Sequence, residues 1–393
     1  MVTFARSFAV PLSLCLLGVV LLAAGALPWG DFLELADRTG PVLLFVASMS
    51  VVTYLGDRAG VFHAVGRAMA STGPGRDGGG RVAMLWIFVA VLSVVCTVFL
   101  SLDTTAVLVT PIVVRLALSA GIAPLPFALT AVWLANTASL LLPVSNLTNL
   151  LAQNRLDLTT AEFARLAAAP ALVGVVVPTA FLWVIFRRQL RGGFRAPRGP
   201  AESDRFLLVG TSVVLLVLLV LLVSGIPVAI SSTAAALVLA AGFAWRRPSA
   251  FTWRMVPWRP LLLTAGLFLI LQTLHAHGLS EVLARVAGGG EGLGDLMRLA
   301  GVGAVAANAV NNLPAYLALE PVAGSPARLM ALLIGVNLGP LVSPWASLAT
   351  LLWHAQLTAM GVRVSWWGFA LAGLLLVVAM LPLAVLALWL AGG

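Results

Sequence analysis

From Phe206 to Ser224 the chain runs through nineteen residues, FLLVGTSVVLLVLLVLLVS, without one charged side chain. A helix needs about 20 such residues to cross the hydrocarbon core of a bilayer. Inside lipid every backbone amide must find a partner within the protein, so only helices and closed barrels can span. A continuous apolar run of this length settles the choice for helices. Composition points the same way, because 61% of the 393 residues are hydrophobic and 9% are charged. The longest polar stretch, about Arg187 to Arg205, is too short to bury a core, so no soluble domain is expected. The fold class is an all-α polytopic membrane protein.

Apolar spans fall at about 8–27, 41–57, 82–119, 125–154, 165–186, 206–224, 227–244, 260–275, 297–325, 328–360 and 366–390. The spans at 82–119, 125–154, 297–325 and 328–360 are interrupted by polar residues. The first run ends in AAGA, as a cleavable signal peptide does, but its full spanning length and the repeat described below assign it as the first span. All 23 basic residues are arginine. With a cytoplasmic N-terminus, and with 82–119 and 297–325 each entering and leaving on one face, seventeen arginines lie inside and six outside. That is the asymmetry of the positive-inside rule. It predicts a cell-membrane protein with its C-terminus outside.

The net charge of +9 sits in short connections and not on a folded basic face, which argues against a nucleic-acid role. The stretch GDRAGVFHAVGRAMA from Gly56 reads as an interfacial amphipathic helix on the inner face, with His63 as a surface residue. Cys15 and Cys96 both lie in apolar spans and imply neither a disulfide framework nor a tetrahedral metal site. His275, His277 and His354 are scattered near span ends. With no nucleotide-binding loop, ligand cluster or catalytic dyad, the sequence predicts no metal, no cofactor and no enzyme.

The polar interruptions repeat. ANTASLLLPVSNLTNLL, from Ala135, aligns without gaps with VNLGPLVSPWASLATLL, from Val336, pairing Asn136 with Asn337 and Pro143 with Pro344. Each is preceded by another interruption, SLDTTAVLVTP from Ser101 and NAVNNLPAYLALEP from Asn308. Two repeats are therefore expected, each a re-entrant hairpin followed by a broken helix. The first covers 1–186, with hairpin 82–119 and broken helix 125–154. The second covers 227–393, with hairpin 297–325 and broken helix 328–360. A basic cytoplasmic loop and linking helix, 187–226, join them. Counting spans makes the two halves inverted, the pattern of secondary transporters whose solute sits near the bilayer midplane.

The breaks are assigned to Thr104, Thr105, Pro143, Pro314, Gly339, Pro340 and Pro344, because proline removes a backbone donor and frees carbonyls that lipid cannot satisfy. Around them Asn136, Thr137, Ser145, Asn146, Thr148, Asn149, Asn311, Asn312, Asn337 and Ser343 offer amides and hydroxyls to a small polar solute. The competing reading is that these groups only hold helices together, a common role of such residues in membranes. The doubling of the cluster favours a substrate site. Asp103, at the apex of the first hairpin, is an intramembrane carboxylate and the candidate coupling-proton carrier. The alternative for Asp103 is to cap the half-helix beginning near Thr104. Counting turns from Asn311 puts Glu320 near the outer face, either as an interfacial residue or as a second proton site.

The four stretches SLDTTAVLVTPIV, ANTASLLLPVSNLTNLL, NNLPAYLALEP and NLGPLVSPWASLATLLW resemble the arsenite and antimonite efflux permeases of the ArsB type. That family belongs to the ion transporter superfamily. The resemblance implies expulsion of trivalent arsenic or antimony hydroxide, driven by exchange for protons or coupled to a cytoplasmic ATPase subunit. Family members often carry an Asn just before the hairpin Asp, and an Asp and a Lys around the second LGP. This chain has Leu102, Asn337 and Leu341 there, which removes charges from the second half. The alternative in the same fold is a sodium- or proton-coupled transporter of a dicarboxylate or other small anion, which calls for cationic or helix-dipole anion sites. Of the cations, only Arg115 is near a hairpin.

Overall fold

The computed structural model describes residues 2–62, 64, 80–194 and 204–392. Of the stretch 56–70 predicted as an amphipathic helix, His63 and residues 65–70 lie outside these residues. The helices, in chain order, are α1 (Val2–Ala23), α2 (Trp29–Arg58), α3 (Val82–Leu100), α4 (Leu102–Ser119), α5 (Leu125–Thr137), α6 (Leu147–Leu156), α7 (Thr160–Phe186) and α8 (Arg205–Val223). They continue as α9 (Val228–Arg246), α10 (Trp258–Ala276), α11 (Leu279–Ala287), α12 (Leu293–Val310), α13 (Asn312–Leu319), α14 (Pro326–Leu338), α15 (Leu348–Ala359) and α16 (Trp366–Leu390). Nine helices among the described residues are long and apolar enough to cross a membrane. The helix α11 was not expected; at nine residues it is too short to span, so a search for spanning runs passes over it.

Packing sorts the helices into two groups. The first has α1 lying along α10, and α2 along α9, which α8 flanks. In the second, α3 packs on α5, α7 on α16, and α14 on both α12 and α16. Glycines permit the closest approaches. A Cβ at Gly266 of α10 would lie 2.5 Å from the Cys15 amide nitrogen, so the first span is packed backbone to backbone against α10.

All four expected interruptions are present. The two hairpins turn at Ser101 (φ 126°, ψ 162°) and Asn311 (φ 135°, ψ 157°), matched conformations that are uncommon for residues with a side chain and cost about 1–3 kcal/mol each. Each apex residue also begins its returning leg. Ser101 Oγ accepts the Thr104 amide at 3.3 Å, and Asn311 Oδ1 accepts that of Leu313 at 3.3 Å. Past the first apex the chain makes a π-helical turn, Thr105–Val109. The broken helices stop at Thr137 and Leu338 and resume at Leu147 and Leu348, with Pro143 in the first gap and Pro340 and Pro344 in the second. A glycine seats each break. A Cβ at Gly174 of α7 would be 2.6 Å from the Thr137 oxygen, and one at Gly373 of α16 would be 1.9 Å from the Leu341 oxygen.

The connections gather at the two ends of the bundle. On the predicted inner face, Gly80–Arg81 pairs as a short strand with Gly193–Phe194, Arg246 meets Asp204 at 3.3 Å, and Arg247 reaches the Arg58 carbonyl at 3.5 Å. Asp204 also accepts the amides of Phe206 and Leu207 and so starts α8. Burial opposes these amides and the nearby Arg246, but together they prevail and keep its carboxyl below the usual range. On the opposite face Arg38, Asn154, His275 and Glu320 come together.

Candidate functional site

The breaks of the two halves meet through Asn337. Its Oδ1 accepts Asn146 Nδ2 at 3.0 Å and Thr148 Oγ1 at 2.8 Å, and its Nδ2 donates to Asn149 Oδ1 at 2.7 Å. All four residues are buried. The last turn of α14 is thereby tied to the first turn of α6, across nearly two hundred residues of sequence. Asn149 also repairs the Pro143 break, because its Nδ2 donates to the carbonyls of Ser139 (2.6 Å) and Leu142 (3.0 Å) that the helix has abandoned. Ser145 fastens the same break to the first hairpin, with Oγ donating to the Val98 carbonyl at 2.8 Å.

The second break is held by a residue that the sequence reading did not select. Asn308 donates to the Gly339 carbonyl at 2.8 Å and accepts the amides of Val342 (3.2 Å) and Ser343 (3.0 Å). Ser343 returns a bond to the Asn308 carbonyl at 2.7 Å. Asn311 donates to the Trp345 carbonyl at 2.8 Å, and the Asn312 amide to that of Ala346 at 2.9 Å. Asn311, Asn312 and Ser343 thus lock the second hairpin to the second broken helix and make no hydrogen bond to Asn337. Asn136, the sequence counterpart of Asn337, behaves differently from its partner. It donates to the Val132 carbonyl one turn back, at 2.9 Å.

Several buried polar atoms have no partner among the described residues: Asp103 Oδ1, Thr110 Oγ1, Thr137 Oγ1, Ser347 Oγ and Thr350 Oγ1. Such orphans are costly, so they mark places where a solute is worth seeking. The leg carrying Asp103 packs against α15, whose N-cap is Ser347 and whose first turn includes Thr350. Thr104 and Thr105 are not orphans: Thr105 pairs with Thr97 at 2.8 Å, and Thr104 with Ser101 at 3.0 Å. Ser347 and Thr350 had no signal in sequence, since serine and threonine are ordinary in membrane helices and only burial without a partner singles them out.

Cations are scarce here. Arg115, near the end of α4, is exposed. The buried Arg328 is engaged by the carbonyls of Gly288, Gly290 and Val322 at 2.6–3.2 Å. Glu320 departs from the interfacial placement. It is 3% exposed and ion-paired with Arg38, and Tyr316 Oη donates to it at 2.9 Å. Turn counting locates a residue along its own helix but is blind to a partner from α2. Among the described residues no group of three His, Cys, Asp or Glu side chains is arranged to hold a metal.

The profile of the citrate transporter family, CitMHS, matches residues 1–328 of this arrangement. The chain belongs to that family. It is also 27% identical to the arsenical pump membrane protein of Yersinia enterocolitica, over 98% of this chain and 94% of that one. It is 29% identical to the arsenical pump membrane protein of Escherichia coli K12, over 95% and 92%. The fold is shared with the YdaH transporter of Alcanivorax borkumensis, at a TM-score of 0.53 and 14% identity, covering 95% of this chain and 89% of that one. This member of the citrate transporter family is a multi-pass secondary transporter and resembles the arsenical pumps over nearly its whole length.

Proposed function

We propose that this transporter exports trivalent arsenic or antimony hydroxide from the cytoplasm in exchange for protons. The two halves act as inverted repeats, the solute binds where their breaks converge, and Asp103 carries the proton. The observation that supports this substrate is the chemistry of the breaks: their buried polar side chains, Asn146, Thr148 and Asn149 bonded to Asn337, Asn136 in the preceding helix, and Ser347 and Thr350 beside the Asp103 leg, are neutral amides and hydroxyls, with no arginine bonded to them among the described residues. A small uncharged hydroxide wants donors and acceptors, whereas a polyanion wants positive charge to offset its desolvation. Asp103 has no ion-pair partner among the described residues to hold it in one protonation state. The residues that knit the breaks in this structure exchange those bonds for bonds to the solute when it enters.

A second reading, transport of a dicarboxylate or other small anion, has one feature in its favour. The N-termini of α6 and α15 both open at the breaks, and helix N-termini attract anions. Inside-out vesicles from a host without arsenite exporters separate the two. Arsenite uptake that collapses when the proton gradient is dissipated is the expected result. Citrate uptake without arsenite uptake would overturn the assignment. Arsenite uptake that appears only with ATP and a second subunit would transfer the driving force to an ATPase.

A further inference from the structure

The two helix groups touch at few polar points, and the strongest of these takes no part in the site above. Arg38, on α2 of the first group, forms an ion pair with Glu320, immediately beyond α13 in the second. Glu320 is all but buried, and the fully buried Tyr316, one turn earlier, donates to the same carboxylate. Two more contacts cross nearby. His275 of α10 lies 3.1 Å through Nε2 from the Leu317 carbonyl, and Asn154 of α6 donates to the Arg38 carbonyl at 3.5 Å. Beside them lies an open pocket of about 210 Å³ whose lining includes Glu34, Arg38, Arg155, Gln272, His275 and Glu320. Nearer the predicted inner face, the crossing from α2 to the first hairpin is the neutral Thr53–Thr104 pair at 3.3 Å.

The pair is half-buried, with Glu320 enclosed and the Arg38 side chain 26% exposed, and such a pair adds little stability over an apolar pair of the same volume, because desolvation cancels most of the attraction. What it does well is choose one arrangement, since parting the charges without new partners is costly. Arg38 and Glu320 belong to different helix groups, so their pairing distinguishes one relative placement of the groups from another. The eight-residue helix α13 connects Glu320 rigidly to Asn312, which follows the hairpin apex Asn311. From this we infer that the Arg38–Glu320 pair is an ionic latch. It holds the second hairpin against α2 and closes the approach to the breaks from the predicted outer face, and it must part for that approach to open. Tyr316 and His275 set the carboxylate and the helix in place for the pairing. The latch does not depend on which solute is carried.

Its test needs no substrate, so it can fail independently of the arsenite reading. Ala315 is 2% exposed and lies on α13, between the hairpin apex and Glu320. An Ala315→Cys reporter, in a Cys15→Ser/Cys96→Ala background, is labelled with a membrane-impermeant thiol reagent in sealed vesicles of both orientations. Glu320→Gln and Arg38→Met are each expected to raise the labelling rate from the predicted outer face by about tenfold or more. The double variant should match the singles, because both break one contact. The charge exchange, Arg38→Glu with Glu320→Arg, should return labelling towards the parent. Unchanged rates in both single variants, effects that multiply in the double, or a rise confined to the opposite face would overturn the latch. If the single variants do not reach the membrane, Tyr316→Phe keeps both charges and should raise labelling about two- to threefold; no rise would overturn it equally.

Discussion

Replacing Asn337 by alanine removes three buried hydrogen bonds at one stroke, those with Asn146 (3.0 Å), Thr148 (2.8 Å) and Asn149 (2.7 Å). Interhelical bonds in membrane proteins contribute about 0.6–1 kcal/mol each, so the loss should come to about 2–3 kcal/mol. Asn136→Ala, at the aligned position of the first half, gives up only the 2.9 Å bond to Val132 within its own helix. That loss is about 1 kcal/mol or less, and alanine's helix preference offsets part of it. Thermal unfolding of the detergent-solubilised protein should therefore place Asn337→Ala about 2–6 °C below Asn136→Ala, taking about 2 °C per kcal/mol for a chain of this size. Equal melting temperatures, or an Asn337→Ala protein as stable as the parent, would refute the reasoning. Apparent arsenite affinity in inside-out vesicles, normalised to folded protein, reports the second role. It should weaken in both variants if each amide also faces the solute, and stay unchanged in both if they only pack.

Asp103→Asn keeps the shape of a side chain whose Oδ1 has no partner, so the variant should insert and unfold like the parent while its transport loses dependence on pH. A parental pH profile would remove Asp103 as the proton carrier. Gly373→Ala sets a Cβ 1.9 Å from the Leu341 oxygen, and Gly174→Ala sets one 2.6 Å from that of Thr137, so each should destabilise by about 1–3 kcal/mol, Gly373→Ala the more. Melting points unchanged from the parent would show that α7 and α16 are not seated on the breaks. Cys15→Ser combined with Cys96→Ala should retain arsenite transport, because the two thiols lie in different spans and no third can complete a trithiolate; loss of transport at normal membrane levels would refute this.

The sequence by itself determined the membrane class, the order of spans and the four interruptions. Each is a property of one segment meeting lipid or water, and lipid tests every segment separately for length, charge and unsatisfied backbone. The matching of the breaks was legible for the same reason, since equal breaks in equal surroundings call for the same proline and amide residues. What the aligned residues do was not legible. Asn136 and Asn337 are equivalent in sequence, yet one bonds within its helix and the other ties α14 to α6. Asn308 stood in plain view within a polar stretch, but only the folded chain puts it against the second break. Glu320 could be placed along α13 by counting turns, while its burial and its pairing depend on Arg38, far away in sequence on α2. Ser347 and Thr350 became notable only once folding had buried them without partners. Span and break are decided locally by the solvent, but a hydrogen bond or ion pair is a property of two distant segments, and only their tertiary meeting decides which groups are satisfied and which are left for a solute.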